Sequence, residues 1–155
     1  MEEMSGVVIN GRRLVVNMLG EVYGLKANCE MRLIENVAND TYGYNCIQCG
    51  GKTFKRHRII AYTYLGLDLE NSKQQIDHID GNKLNNSLDN LRVVTHQQNQ
   101  WNHTKAKGYY FNKASKKWHA QIKLNNKNIH LGYYNSESES HTAYLKAKLI
   151  YHKII

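Results

Sequence analysis

The pattern of apolar and polar residues near the start of the chain predicts short β-strands. Residues 7–9 and residues 14–16 are apolar runs on either side of Asn10-Gly11, a dipeptide typical of a tight hairpin turn. From His57 to Leu65 the apolar residues recur at helical spacing instead, and Gly66 suits the position just after a helix. The first part of the chain is therefore predicted to be β-rich and to end in one helix.

Residues 75–103 predict a strand, a polar loop, a second strand and a short helix. The first residues of this segment suit a strand, and the residue types of Asp80-Gly81-Asn82 are typical of a tight turn. The apolar run from Leu91 to Val94 predicts the second strand. Thr95 is a good N-cap for a helix that runs from His96 to His103.

The last third of the chain again alternates apolar and polar residues, now over three segments. The alternating apolar residues are Tyr109, Phe111, Trp118, Ala120, Ile122, Ile129 and Leu131. Ser136 and Glu139 then have capping-box spacing, and apolar residues follow at helical intervals. We predict three amphipathic strands and one helix, which covers one sheet face and leaves the other free. Phe111, Trp118 and Ile122 are expected in the core.

Composition narrows the class of protein. With 155 residues and 41% hydrophobic content, the chain can form one domain or two small ones. No apolar run approaches the roughly 18 residues of a membrane span, and the first residues lack a signal-peptide pattern. We therefore expect an intracellular protein that does not bind membranes.

The net charge of +8 is concentrated at one end of the chain. Residues 105–155 contain ten Lys and no Arg against Glu137 and Glu139, whereas residues 1–104 balance eleven basic against eleven acidic residues. Such asymmetry predicts a module that binds a polyanion. A solvated basic surface is the alternative.

The three cysteines do not form a disulfide framework, because their number is odd. Cys46 and Cys49 have the spacing of half a zinc site, which Cys29 and a histidine could complete. The favoured interpretation is that they are buried thiols in a reducing compartment.

Asp77, His78 and Asn99 are the candidate reactive residues. Phosphodiester hydrolysis needs an activated water and a counter-charge for the phosphate. A hard cation such as Mg²⁺ binds one or two protein oxygens and keeps several waters, and the Asp77 carboxylate and the Asn99 amide offer such oxygens. A neutral imidazole at His78 suits a general base. Taken singly, each residue is more often an ordinary surface group.

The joint pattern is far more specific than its parts. Asp77-His78-x-Asp80-Gly81-Asn82, then Asn85-Asn86, Asp89-Asn90-Leu91-Arg92 and Asn99 resemble the HNH nuclease family in its His-Asn-Asn version. The resemblance implies the ββα-metal motif of phage and intron homing endonucleases. For residues 1–104 it implies a ββα-metal nuclease core behind an N-terminal β-rich segment. Together with the three-stranded antiparallel sheet and helix predicted for residues 105–155, the chain is expected to have an α+β fold.

The resemblance also implies roles for single residues. His78 corresponds to the general base that activates water. Asp77 and Asn99 correspond to ligands of one divalent metal, Mg²⁺ or Mn²⁺. Asn90 corresponds to the middle residue of the motif and supports the loop of the catalytic site.

Four further residues of the nuclease part have expected contacts. Arg92 is expected to reach a phosphate, and His57 and Arg58 are expected to contact backbone phosphates unless they are only a polar helix start. His103 could touch metal or phosphate, although a solvated surface histidine is the favoured interpretation.

Residues 107–150 resemble the plant ethylene-response-factor type of DNA-binding domain. The resemblance rests on Gly108-Tyr-Tyr-Phe, Lys117-Trp118-His-Ala-Gln-Ile-Lys123 and His130-Leu-Gly132-Tyr-Tyr134. It implies that the free sheet face enters the major groove. The matching outward positions are Lys107, Tyr110, Asn112, Lys117, His119, Gln121, Lys123 and His130. Because no Arg follows Arg92, bidentate Arg–guanine contacts are impossible in this module, and we expect weaker or A·T-leaning specificity.

These observations favour one hypothesis over two others. The main hypothesis is a metal-dependent HNH endonuclease of the homing or mobile-element type that nicks or cleaves double-stranded DNA. It would act as a monomer or homodimer and have no small-molecule substrate. The first alternative is a DNA-binding regulator with an inactive nuclease module. The second is a zinc-stabilised RNA-binding protein.

Overall fold

The described residues, 3–71, 73–101 and 107–153, form eleven strands and three α-helices in a computed structural model. The strands are β1 (Met4–Ile9), β2 (Arg12–Asn17), β3 (Val22–Leu25), β4 (Met31–Ile34), β5 (Cys46–Cys49), β6 (Lys52–Lys55), β7 (Gln75–His78), β8 (Leu91–Val94), β9 (Tyr109–Asn112), β10 (Lys117–Leu124) and β11 (Lys127–Tyr134). The helices are α1 (Arg56–Tyr64), α2 (His96–Trp101) and α3 (Glu137–Tyr151), and a short 3₁₀ turn spans Leu88–Asn90. The α+β class predicted from the sequence is confirmed.

The chain divides into two units, residues 1–96 and residues 97–155. The sequence analysis placed the division after residue 104, whereas the structure divides at the start of α2. Among the helices described, none is long and apolar enough to cross a membrane.

The first unit begins with an antiparallel sheet in the order β1-β2-β3-β4. Asn10 and Gly11 connect β1 to β2 with φ values of 46° and 79°, as a tight hairpin turn requires, so the predicted hairpin is confirmed. The face that packs on the rest of the unit carries Val7, Ile9, Leu14, Val16, Val22 and Ile34. This alternation buries one face of the sheet in the core of the first unit.

Helix α1 supplies the other half of this core. Ile59 and Ile60 are completely buried against the sheet residues. Burial of such side chains stabilises a fold by about 1.5–3 kcal/mol each. Gly66 follows the helix with φ of +66°, and the N–H of Leu67 donates to the carbonyl of Ala61 over 3.2 Å. The helix and its terminating glycine are therefore as predicted.

Arg56, the first residue of α1, is buried and fixes the surrounding segments. Its guanidinium donates to the Asn45 Oδ1 over 2.8 Å and to the carbonyls of Gly20, Ile34 and Glu35 over 3.2, 2.6 and 2.9 Å. Burial lowers the pKa of Arg56 to about 10, so the group stays charged at neutral pH. These hydrogen bonds compensate its burial and tie the N-terminal sheet to α1.

Two short antiparallel ladders, β5–β6 and β7–β8, complete the first unit. The loop between β7 and β8 lies against the turn between β2 and β3. There the N–H of Leu88 donates to the carbonyl of Met18 over 2.8 Å. A Cβ atom at Gly20 would lie 2.4 Å from the Asn86 carbonyl oxygen, so only glycine allows this approach. The N-terminal sheet therefore directly supports the β7–β8 loop.

The second unit is a three-stranded antiparallel sheet, in the order β11-β10-β9, with α3 on one face. Ile122, Tyr144 and Ala147 form its buried core. The predicted capping box begins α3: the Ser136 Oγ accepts the Glu139 N–H over 3.2 Å, and the Glu139 carboxylate accepts the Ser136 N–H over 3.3 Å. The predicted strand–strand–strand–helix order is confirmed.

Two residues expected in this core are not buried. Phe111 is 48% exposed and Trp118 is only partly buried, while Ile122 is 1% exposed. Phe111 and Trp118 face each other edge to face, with ring centroids 5.5 Å apart. The expectation was wrong because this cross-strand pair lies next to the β9–β10 turn, whereas the buried residues of α3 pack further along β10.

Candidate functional site

The β7–β8 hairpin carries the two central candidate residues on opposite faces. Asp77 lies opposite Arg92 in the ladder, and His78 lies opposite Leu91. Neighbouring residues on a strand point to opposite sides, so the two side chains leave the backbone in different directions. Both are buried, at 6% and 5% exposure. Each therefore depends on the partners that the fold provides.

Arg92 provides the partner for Asp77. The guanidinium Nε and Nη2 donate to the Asp77 Oδ2 over 2.9 and 2.6 Å. This ion pair compensates the burial of the carboxylate and fixes its orientation. Arg92 was expected to reach a phosphate; in the structure its guanidinium binds Asp77, because the ladder places the two side chains directly opposite each other.

Asn86 provides a partner for His78. The His78 Nε2 lies 3.2 Å from the Asn86 Oδ1, and an amide oxygen can only accept, so Nε2 carries the proton. In the neutral ring, Nδ1 is then the nitrogen with the lone pair. The Asn86 amide nitrogen donates to the Asn36 side chain and to the Leu84 carbonyl over 3.1 and 3.2 Å, which fixes this orientation. The fold thus selects one tautomer of His78.

Burial keeps this imidazole neutral. Burial lowers the pKa of His78, and the charge of Lys83 lowers it further. The hydrogen bond that His78 donates to Asn86 and the charges of Asp80 and Asp77 oppose this shift. His57, which lies edge-on to His78 with ring centroids 5.0 Å apart, has its pKa lowered to about 3, mainly by burial. Near neutral pH both rings are therefore uncharged, and His78 is in the state that a general base requires.

Asn90 holds the loop that follows His78. Its Oδ1 accepts the N–H of Asp80 over 3.0 Å, and its amide nitrogen donates to the Asp80 carboxylate and the Asn85 carbonyl over 2.9 and 2.8 Å. The Asn85 amide also donates to Asp80 over 2.7 Å. These bonds give Asn90 a positioning role, since its side chain is fully engaged within the loop.

Arg58 has a structural role that the phosphate-contact hypothesis did not include. Its guanidinium donates to the carbonyls of Gln74, Leu69 and Asp68 over 3.1, 3.3 and 3.4 Å. These bonds hold the segment between α1 and β7. The neighbouring His57 is buried at 6% exposure, which places it inside the protein and not at a phosphate-contacting surface.

The sequence analysis missed Tyr44, which lies beside the two histidine rings. Its ring is 5.0 Å from that of His57 and 6.2 Å from that of His78, measured between centroids. Burial raises the pKa of Tyr44, and the charges of Asp40 and Asp77 raise it further. Because Tyr44 belongs to no local motif and reaches the site only through tertiary packing, no signal in the sequence identified it.

Asn99 lies on α2 and is partly buried, and His103 lies outside the described residues. In the described part of the chain, no three His, Cys, Asp or Glu side chains converge as metal ligands. The donors expected to bind a metal, the Asp77 carboxylate and the Asn99 amide, are both hard oxygen donors. Such a set fits Mg²⁺ or Mn²⁺, which need few protein ligands.

The cysteines do not form the zinc site considered above. Cys46 and Cys49 lie three residues apart on β5 and so point to opposite faces of the ladder. Cys49 is buried in the core of the first unit, where burial raises the pKa of its thiol. Cys29 is exposed. Cys49 thus behaves as a small core residue.

The free face of the second sheet carries the residues that the sequence placed there. By ladder register, the positions facing away from Ile122 are Tyr110, Asn112, Lys117, His119, Gln121, Lys123, His130 and Tyr133. Lys107 is exposed just before β9. The predicted orientation of these strand residues is confirmed, and it makes a free face that combines cationic, amide and aromatic groups.

His119 differs from the rest of this face because other rings cover it. Its ring lies 4.9 Å from that of Tyr110, 4.6 Å from that of His130 and 5.0 Å from that of Tyr133. It is only 8% exposed, and its Nε2 hydrogen-bonds the His130 Nδ1 over 2.5 Å. His119 therefore supports the exposed rings, and it has little surface left for a contact of its own.

Comparison with known proteins finds a matching family model and several relatives. Residues 54–101 match the family model described as HNH endonuclease. The H-N-H endonuclease F-TflII of Escherichia phage T5 is 33% identical over 97 residues, which cover 61% of this chain and 49% of the relative. An uncharacterized HNH endonuclease, L245, of Acanthamoeba polyphaga mimivirus is 28% identical over 109 residues, covering 68% of this chain and 32% of the relative.

Two further similarities are shorter or more distant. Protein 3.8 of Escherichia phage T7 is 63% identical over 27 residues, which cover 17% of this chain and 22% of that protein. A solved structure titled DNA binding and cleavage by the HNH homing endonuclease I-HmuI is 32% identical with a TM-score of 0.48, covering 64% of this chain and 57% of that one. The chain spans about half the length, or less, of the curated relatives it matches.

Proposed function

We propose that the protein is a divalent-metal-dependent HNH endonuclease that hydrolyses phosphodiester bonds of double-stranded DNA. The observation that carries the proposal is the environment of His78. Within the segment that matches the HNH endonuclease family model, this imidazole is buried, neutral and held in one tautomer by Asn86. A general base must hold the lone pair of one ring nitrogen in a defined direction, whereas a histidine with only a structural role need not.

In the proposed reaction, His78 activates the attacking water. The water oxygen forms a bond to phosphorus, its proton moves to the His78 Nδ1, and the ester bond to the leaving oxygen breaks. The hydrogen bond from Nε2 to Asn86 keeps the ring in place during this transfer. The nearby carboxylates of Asp80 and Asp77 favour the protonated ring once it forms, as their opposing effects on the pKa of His78 indicate.

The metal would be held by Asp77 and Asn99, which supply carboxylate and amide oxygens. When bound, it supplies positive charge for the phosphate and for the leaving oxygen. Arg92 would act through Asp77, because its two hydrogen bonds orient the carboxylate. Asn90 would act through the loop that follows His78.

The second unit would supply most of the DNA affinity. Its excess of lysine and its free sheet face suit a duplex, and Lys117 and Lys123 are exposed on that face. Lysine mostly meets phosphates, while Asn112 and Gln121 can pair with adenine. We propose a homing-type or mobile-element nuclease with modest, A·T-leaning specificity, acting as a monomer or homodimer.

Relaxation of a supercoiled plasmid tests the proposal. Wild type should produce nicked or linear DNA with Mg²⁺ or Mn²⁺ and none with EDTA. His78→Ala should abolish the product while a gel shift in EDTA stays near wild type. His141→Ala, at an exposed position of α3, serves as the matched control and should cleave normally. Cleavage by His78→Ala equal to wild type would refute the general-base role.

The same experiment separates the main alternative. If wild type shifts DNA but cleaves neither the plasmid nor A·T-rich genomic DNA with either metal, the chain is a DNA-binding regulator with an inactive nuclease module. Linear product would indicate double-strand cleavage, either by a dimer or by sequential nicking. Nicked product alone would indicate that only one strand is cut.

A further inference from the structure

Two lysines from distant parts of the chain converge on the ring of Tyr44. The Lys55 Nζ, at the end of β6, lies 3.9 Å from the centroid of this ring. The Lys83 Nζ, in the loop after β7, lies 4.9 Å from the same centroid. Both distances are within the range of a cation–π interaction. We call Tyr44, Lys55 and Lys83 the lysine–tyrosine cluster.

The fold holds this cluster in place from both sides. The Asp40 Oδ1 accepts the N–H groups of Tyr42 and Tyr44 over 2.9 and 2.7 Å, which fixes the turn that presents the ring. The Lys83 Nζ donates to the Tyr42 carbonyl over 2.7 Å. Lys83 is thereby anchored at a defined position, although most of its side chain is exposed.

Neither lysine of the cluster forms an ion pair with a described carboxylate, although the charge of Asp40 is near enough to interact with that of Lys55. Within the described residues, ion pairs within 4.0 Å join only Lys26 to Glu30 and Arg92 to Asp77. Two ammonium groups near one ring concentrate positive charge there, and a bound anion would offset it. The arrangement is therefore suited to an anionic ligand.

The cluster lies next to the proposed general base. The Tyr44 ring centroid is 6.2 Å from that of His78. An anion held beside the Tyr44 ring would therefore lie near the ring of His78.

We propose that the lysine–tyrosine cluster binds the DNA phosphate that undergoes attack. Lys83 and Lys55 would contact its non-bridging oxygens and stabilise the negative charge that they carry in the transition state. Tyr44 would position both ammonium groups through its ring face. This inference rests on the proposed nuclease function and adds to it substrate-contacting residues that lie outside the Asp-His-Asn pattern.

The test compares single-turnover cleavage with DNA binding for matched lysine variants. Lys83→Met should reduce the cleavage rate by about 10²-fold, the effect expected when one charge-stabilising donor is lost from an active site. Lys55→Met should reduce it by at least about tenfold. Lys52→Met removes the same charge from the opposite face of β6, at an exposed position, and should cleave at the wild-type rate.

Three further measurements exclude a merely structural effect. For each lysine variant, the fold-loss in DNA affinity, measured in EDTA, should be at least about tenfold smaller than the fold-loss in cleavage rate. The reason is that the charge acts mainly in the transition state. Lys83→Arg, which keeps the charge, should recover at least about tenfold over Lys83→Met. Far-UV circular dichroism melting of each variant should match wild type.

The outcomes separate this inference from the proposed function. If wild type cleaves and Lys83→Met cleaves equally well, the inference is wrong and the nuclease assignment stands. If Lys83→Met loses binding and cleavage in equal measure, the lysine contributes only to general DNA affinity and the inference is again wrong. If wild type itself does not cleave, both proposals fail.

Discussion

Replacing His57 by phenylalanine should make the first unit less sensitive to acid. In the folded protein the pKa of His57 is lowered to about 3, mainly by burial, against an ordinary value of about 6.5. As pH falls below 6.5, the unfolded chain therefore takes up a proton that the folded protein refuses. The stability contributed by the neutral ring is present above pH 6.5 and is lost progressively as pH falls toward 3.

The size of this effect follows from the pKa difference. For each pH unit between the two pKa values, the free energy of unfolding falls by about 1.4 kcal/mol as the pH is lowered. Between pH 7.5 and pH 5.0, His57 should therefore lower the free energy of unfolding by about 2 kcal/mol. His57→Phe keeps a ring between Tyr44 and His78 but cannot be protonated. The free energy of unfolding of the His57→Phe variant should therefore fall by about 2 kcal/mol less than that of wild type over the same pH interval.

Tryptophan fluorescence would report on the second unit, because Trp101 and Trp118 both lie there. The stability of the first unit must therefore be followed by another signal. Urea unfolding followed by the native NMR signals of the Ile59 and Ile60 amides meets this need. Each protein is compared with itself at the two pH values, so a uniform loss of stability in the variant does not affect the result. Equal pH dependence in wild type and His57→Phe would show that the folded protein accommodates a charged ring at this position.

Three other predictions concern separate parts of the molecule. Arg92→Ala should lower the free energy of unfolding of the first unit by about 3 kcal/mol, because it leaves Asp77 buried without its ion pair; an unchanged urea midpoint would contradict this. Gly20→Ala should cost about 2 kcal/mol or more, since its Cβ would overlap the Asn86 carbonyl at a positive φ, and thermal melting would reveal it. If about six phosphates are contacted, the logarithm of the DNA-binding constant should fall with the logarithm of the salt concentration at a slope of roughly −5. Lys123→Ala should reduce the magnitude of that slope by about one. A wild-type slope near zero would exclude the free sheet face as the binding surface.

The parts of the fold that could be predicted from the sequence are those that depend on neighbouring residues. Asn10-Gly11 determines its hairpin turn through backbone conformation, and Ser136 with Glu139 determines a helix start through hydrogen bonds three residues apart. The alternation along β10 gave the correct free face because strand geometry fixes it within the segment. In each case the decisive interaction lies within a few residues.

The features that could not be predicted from the sequence are interactions between distant residues. Arg56 and Arg58 are two positions apart and chemically identical, yet Arg56 is buried and both guanidinium groups bind carbonyls of segments that only the fold brings near. Arg92 was expected at a phosphate because the sequence does not reveal that Asp77 lies opposite it in the ladder. Tyr44 reaches the histidine rings only by packing. The sequence shows that an arginine can bind an acceptor, but the tertiary structure determines which acceptor it binds.

The buried guanidinium of Arg56 limits how this protein could be shortened or recombined. The segment that matches the HNH family begins at residue 54, but the acceptors for Arg56 lie at Gly20, Ile34, Glu35 and Asn45. A fragment cut at the family boundary would keep the donor and lose all four acceptors, together with the sheet that covers Ile59 and Ile60. Exchange of this segment between related proteins should therefore succeed only when the exchanged piece begins upstream of β1 and continues through α2, the end of the matched segment at residue 101.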